Sequence, residues 1–239
     1  MTEALLAWLA AWSATNTPAL PTGTAMHLWL RIGWSVLLAW AGVAGLGRAL
    51  RKSAWHPRWR WAGALLLALW VWLPESYSAA YWLGLAFQMP SLVAVLLCML
   101  LLVDAMVSER RTGADQMPVA SGESRLLLTL AVLGTMLGWA LLLDTFALLP
   151  AQLYSFGFSP AATGLALLVV LLPWIISGNS ASGCVGRLGL WVAPAAVVAF
   201  GLWRLPTGNV WDSLLDPWLW LGLQVYAVKA FWIRYKNSS

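Results

Sequence analysis

Three polar side chains stand inside apolar runs, where an unpartnered polar group is expensive: Arg31, Gln88 and Asp144. A cation, an amide and a carboxylate in one place can hold a small polar solute or lock two helices together as a static ion pair. Asp144 lies near the far end of the stretch Leu126 to Leu149, which follows Arg125 and precedes an uncharged connection. Arg31 lies a similar distance into the run Met26 to Leu46. With those two ends on one side of a bilayer, both charges sit roughly 7–9 Å below the same boundary, at about 1.5 Å of rise per helical residue. A lone charge at that depth costs on the order of 2–3 kcal/mol, so the two are expected to meet or to share a wet cavity. Gln88, beside Pro90, is expected at a comparable depth. Glu75, Asp212 and Asp216 fall in connections on the same side. The expected site is an outward-facing polar pocket lined by Arg31, Gln88 and Asp144, with Glu75, Asp212 and Asp216 at its mouth. The structural alternative is that Arg31 and Asp144 only tie the first span to the fourth.

The elements that must carry these residues follow from composition. Of the 239 residues, 61% are hydrophobic and only 10% are charged, whereas a soluble domain averages about 45–50% and about 25%. One globular core cannot hide that excess, so the chain is read as all-α and embedded in lipid. Its 19 Trp suit the boundary between hydrocarbon and headgroups.

Seven spans are expected: about 26–46, 57–73, 81–103, 126–149, 160–176, 188–203 and 217–233. Pro57, Pro160 and Pro217 favour first helical positions, the last two after the N-cap residues Ser159 and Asp216. Pro90, Pro173 and Pro194 fall within spans and are expected to kink them, freeing carbonyls that can help build a solute site. Gly134 and Gly138 form a GxxxG pair suited to close helix contact. Residues 1–24 are expected to be an external, interfacial segment. Their apolar run, Ala4 to Trp12, is too short to cross, and no basic residue precedes it, so a cleaved leader is not expected. Residues 25–236 form the membrane domain and 237–239 a cytoplasmic tail.

With seven spans, every basic residue except Arg31 and Arg204 falls on one side, counting Lys229 as snorkelling toward that end. The positive-inside rule then gives an N-out, C-in protein of a bacterial-type inner membrane. The interleaved run from Arg48 to Trp61 is read as a cytoplasmic loop with an aromatic belt, and no nucleic acid is expected as a partner. Cys98 and Cys184 fall toward the reducing side, so no disulfide is expected.

No metal or cofactor is expected either. The two Cys form no C-x-x-C, the two His no i, i+4 pair, and the Gly/Ser-rich connection after Ser177 lacks a Walker lysine. Asp212 and Asp216 invite comparison with the Asp-rich N-x-x-x-D-x-x-x-D motifs of membrane prenyltransferases. Asn209 is one residue too close to Asp212, and no second such motif exists. Intramembrane proteolysis would need His within a span, and both His lie at span edges. The reading that uses the most features is a small transporter or permease-like protein, working as an oligomer, whose acidic mouth favours a cationic or zwitterionic solute. The second reading is a non-catalytic accessory or assembly subunit of a larger membrane complex. An intramembrane enzyme modifying lipids or isoprenoids is third.

Overall fold

Long apolar runs with few charges have one way to satisfy their backbone groups in hydrocarbon, which is to become helix. The computed structural model describes residues 18–49, 57–110, 123–150, 152–177 and 184–238, and these are helical with no strand among them. The helices are α1 (Gly23–Ala49), α2 (Pro57–Trp70), α3 (Ala79–Phe87), α4 (Leu92–Arg110), α5 (Glu123–Thr145), α6 (Leu153–Phe156), α7 (Pro160–Ser177), α8 (Cys184–Trp203), α9 (Val210–Leu214) and α10 (Pro217–Ser238). A 3₁₀ turn, Glu75–Tyr77, joins α2 to α3. Most of the N-terminal interfacial segment, much of the basic aromatic run and the Gly/Ser-rich connection lie outside the described residues.

Three stretches among the described residues are long and apolar enough to cross a membrane: Gly23–Gly47, Leu92–Glu109 and Leu127–Thr145. Shorter apolar helical runs occupy Pro160–Leu172 and Gly189–Trp203. The outer surface agrees with this make-up. Leu66, Leu85 and Trp232 are 68%, 68% and 70% exposed, far from the polar covering water would demand, so the chain is built as a membrane protein.

Helix α1 packs on α2 and on α4, α4 packs on α8, α8 on α7, and α5 on α10. The main core lies between α4, α7, α8 and α9, where Phe200, Val210, Ala162 and Ala196 are fully buried. The GxxxG face of α5 is occupied from within the chain. A Cβ on Gly134 would lie 2.7 Å from Leu223 Cδ1, and one on Gly138 would overlap the Trp220 indole. Both partners belong to α10, whose Trp220 also donates its indole N–H to Thr135 O at 3.2 Å.

The expected spans are altered in two places that matter. The third is not one kinked helix over 81–103. It is broken into α3 and α4, with residues 88–91 outside any helix. Pro90 cannot donate to the ladder, and the preceding residue is pushed away from helical dihedrals. Gln88 has already left the helix, at φ 62° and ψ −144°. The second helix ends at Trp70, short of the expected Leu73. Pro173 and Pro194 remain inside α7 and α8, and α10 runs to Ser238 through most of the expected tail.

At the other end of the molecule, Arg60 forms an ion pair with Glu109, which also accepts the Trp61 indole N–H at 2.6 Å. This ties α2 to α4. Cys98 is a buried thiol on α4, and the side chain of Cys184 lies outside the described residues.

Candidate functional site

A break inside a helical span leaves backbone carbonyls and amides without helical partners, and each must find another. Two indoles of α1 supply the donors. Trp34 Nε1 donates to Gln88 O at 3.1 Å, and Trp29 Nε1 to Pro90 O at 2.9 Å. Gly33, between them, lets the linker lie close against α1, since a Cβ there would sit 3.1 Å from Pro90 Cγ.

The amides at the start of α4 are met by two side chains. Ser91 is the N-cap, its Oγ accepting from the Ala94 amide at 3.1 Å. The Ser91 amide and hydroxyl both donate to Asp216 Oδ2 at 2.8 Å. The other oxygen, Asp216 Oδ1, accepts from the Leu219 amide at 2.8 Å. One carboxylate therefore caps α10 directly and α4 through Ser91. Its negative charge also suits the positive ends of both helix dipoles.

The connection between α8 and α10 turns inward. It contains a cis Leu205–Pro206 bond and Gly208 at φ 87°. Asn209 is fully buried. It caps α9 by accepting from the Trp211 amide at 3.0 Å and donates from Nδ2 to Tyr154 O at 2.9 Å. Trp211 Nε1 donates to Leu153 O at 2.9 Å, and the Val210 amide to Gly157 O at 3.0 Å. The connection thus grips the segment 153–157 that precedes α7.

These contacts frame a cleft of about 900 Å³. Gln88, Asp144, Asp212 and Asp216, four of the six residues nominated from the sequence, line it. Among the described residues that line it there is no lysine or arginine. Asp144 Oδ2 accepts from the Tyr154 amide at 2.7 Å. Asp212 Oδ2 accepts from the Tyr154 hydroxyl at 2.9 Å and from the Thr207 hydroxyl at 2.5 Å. Tyr154 so bridges two of the carboxylates, one through its backbone and one through its ring.

Arg31 and Glu75 are not part of the cleft. The expected Arg31–Asp144 pair is not formed. The Arg31 guanidinium lies over the Trp72 ring at 5.8 Å, an interaction that lets a cation rest on an aromatic face. Glu75 is exposed in the 3₁₀ turn after α2, at φ 46°. Similar positions along two apolar runs do not bring residues together when the runs pack on different neighbours, α1 on α2 and α4, and α5 on α10. Arg31 serves the α1–α2 side, whereas Asp144 serves the α5–α6 side.

Ser91, Tyr154, Thr207 and Asn209 were not among the site residues expected from the sequence. Ser91 had a readable signal, a hydroxyl just ahead of an apolar run. Asn209 and Thr207 had only the turn-like composition of the connection, and Tyr154 had none.

The short helices α6 and α9 are not spanning segments, and two groups on them have displaced titration. Burial pushes the Asp212 carboxyl above its ordinary 3.8, while hydrogen bonds from Thr207 and Tyr154 pull the other way. Burial and the neighbouring Asp212 charge push the Tyr154 phenol upward, so it remains a donor. An acid whose folded pKa is raised holds its proton more readily folded than unfolded. The folded state therefore gains stability as pH falls through the interval between the folded value and 3.8, and loses it as Asp212 ionises. The melting-temperature advantage of Asp212→Asn over wild type is expected to shrink as pH falls from neutral toward 3.8. A difference that stays constant over that range would show that the ionised carboxylate carries no burial cost.

Among the described residues, no group of His, Cys, Asp and Glu side chains is arranged to hold a metal ion. The three cleft carboxylates are each engaged by protein donors. What the arrangement can do is offer partly satisfied negative charge to a cation entering a cleft lined by both polar and apolar side chains. No protein-family model, curated protein or solved structure matches this chain, so its functional reading rests on the geometry of this cleft.

Proposed function

We propose that the protein is a permease-like carrier of a bacterial-type inner membrane that binds a small organic cation in the cleft beside the α3–α4 break. Its crossings are α1, α2, the α3–α4 pair, α5, α7, α8 and α10, with the cleft on the outer side. The distribution of basic residues supports that orientation. The observation that carries the functional reading is the convergence of Asp144, Asp212 and Asp216 on one cleft with no basic residue among the described residues of its lining. Clefts lined by one sign of charge concentrate the opposite ion. The broken span supports it further, because interrupted helices place solute sites at mid-membrane depth in carriers.

The test uses the full chain in lipid nanodiscs, titrated with tetramethylammonium by calorimetry. Asp144→Asn combined with Asp212→Asn should weaken binding about a hundredfold, taking about 1.4 kcal/mol for the attraction of the cation to each carboxylate. Sealed proteoliposomes should take up the labelled cation, and the double variant should not. Equal affinity in wild type and variant would remove the basis for a cation site.

A further inference from the structure

The cleft has a neighbour. A groove of about 370 Å³ lies along α1 and α3, and its walls are Leu30, Ala80, Tyr81, Gly84 and Leu85. Gln88, Met89 and Thr207 line both the groove and the acidic cleft. The two spaces therefore meet at the non-helical linker that interrupts the third span. Gly84 keeps the groove open. A Cβ there would lie 3.2 Å from Leu30 Cδ1, tight enough that a longer side chain must occupy the groove. Leu85 is 68% exposed and Tyr81 46% exposed, so both offer apolar surface to an occupant.

We infer that cleft and groove form one bipartite site, whose ligand is an amphiphilic organic cation with its ammonium head in the cleft and a short alkyl or aryl substituent in the groove. The inference rests on the cation-binding reading of the cleft and adds the class of ligand. Charge complementarity selects the occupant. A fatty acid or an acidic phospholipid whose tail entered the groove would bring its anionic head against Asp144, Asp212 and Asp216. A fully hydrated small cation would leave the groove unused. An ammonium with an apolar arm satisfies both halves at once, with polar groups fixing orientation and apolar wall adding affinity.

The experiment is a series of trimethylammonium ions whose fourth substituent is methyl, butyl, hexyl or benzyl. Each is titrated against the full chain in nanodiscs, with protein-free nanodiscs subtracted for partition into lipid. Affinity should climb by up to about fourfold for each methylene buried and level off once the groove is full. Leu85→Gln, a change at an exposed position that the fold should tolerate, should cut the hexyl-to-methyl affinity ratio at least about fivefold. Gly84→Leu should cut it further by filling the groove.

If methyl and hexyl ions bind equally and neither groove variant changes their ratio, the bipartite site is overturned while the acidic cleft stands. If chain-length dependence survives unaltered in the Asp144→Asn, Asp212→Asn double variant, the groove is a lipid seat unconnected to the cleft, and the inference also falls. If no ion of any length binds above the protein-free control, the cation reading fails and this inference with it.

Discussion

Replacing Asp216 by alanine is expected to be among the most damaging single changes in the protein, at about 3–7 kcal/mol. The side chain is 6% exposed and accepts from the Ser91 amide, the Ser91 hydroxyl and the Leu219 amide. Its removal uncaps α10 and leaves the fully buried Ser91 with two donors unmatched. A lost cap costs about 1 kcal/mol, and each buried donor left without a partner about 1–3 kcal/mol. Asp216→Asn keeps one acceptor oxygen and should cost less, about 1–2 kcal/mol. The check is the unfolding midpoint of purified protein in mixed micelles titrated with a denaturing detergent. An alanine variant as stable as wild type would mean that these bonds are replaced by water, and that the linker is not held by Asp216.

The second large effect is expected at Gly157, where alanine should destabilise by about 3 kcal/mol. The backbone there is at φ −59° and ψ −16°, a conformation any residue adopts, so no dihedral strain is involved. Chain entropy alone would favour alanine by about 0.4–1 kcal/mol. The obstacle is steric. An added Cβ would overlap Asn209 Oδ1 and lie 2.6 Å from Trp211 Nε1. Both atoms are committed, Asn209 to capping α9 and Trp211 to the Leu153 carbonyl. Yielding would break the grip of the α8–α10 connection on segment 153–157, which carries Tyr154. Cation affinity in the cleft should therefore fall along with stability. Gly222→Ala is the matched control, because nothing lies within 4 Å of its added Cβ, and it should be neutral or stabilising by about 0.5–1 kcal/mol. Equal effects at the two glycines would show that the Gly157 contact is not tight.

The carboxylates of the cleft thus divide by role. Asp216 is a structural keystone whose oxygens are taken by backbone and serine donors, and its substitution reports on folding. Asp144 and Asp212 each meet their protein donors through one oxygen, Oδ2 in both cases. They are the positions at which cation binding is best tested. Their contacts with Tyr154 hold them in place without saturating them.

The helical class was legible in the sequence because it depends on quantities that add along the chain. Apolar runs near 20 residues long, bounded by charges, permit only helix in lipid. The caps were local as well. Ser159 does cap α7, its Oγ accepting from the Ala162 amide at 3.1 Å, and Asp216 does cap α10. Of the polar residues singled out in the sequence, Gln88, Asp144, Asp212 and Asp216 line one cleft.

What the sequence could not determine is which helices are neighbours. Arg31 and Asp144 were matched by depth, which is a property of each run, but pairing requires azimuth and adjacency, which are properties of the bundle. Tertiary structure places α1 against α2 and α4, and α5 against α10, so Arg31 finds Trp72 while Asp144 finds Tyr154. Likewise, Pro90 announced a disturbance, yet whether the span bends or breaks depended on partners far away in the chain. Trp29, Trp34 and Asp216 supply donors and an acceptor for the opened backbone, and with those groups met the broken form becomes affordable. The charged cleft was written into the residue types; its shape, its floor and its apolar annex exist only because that break is held open.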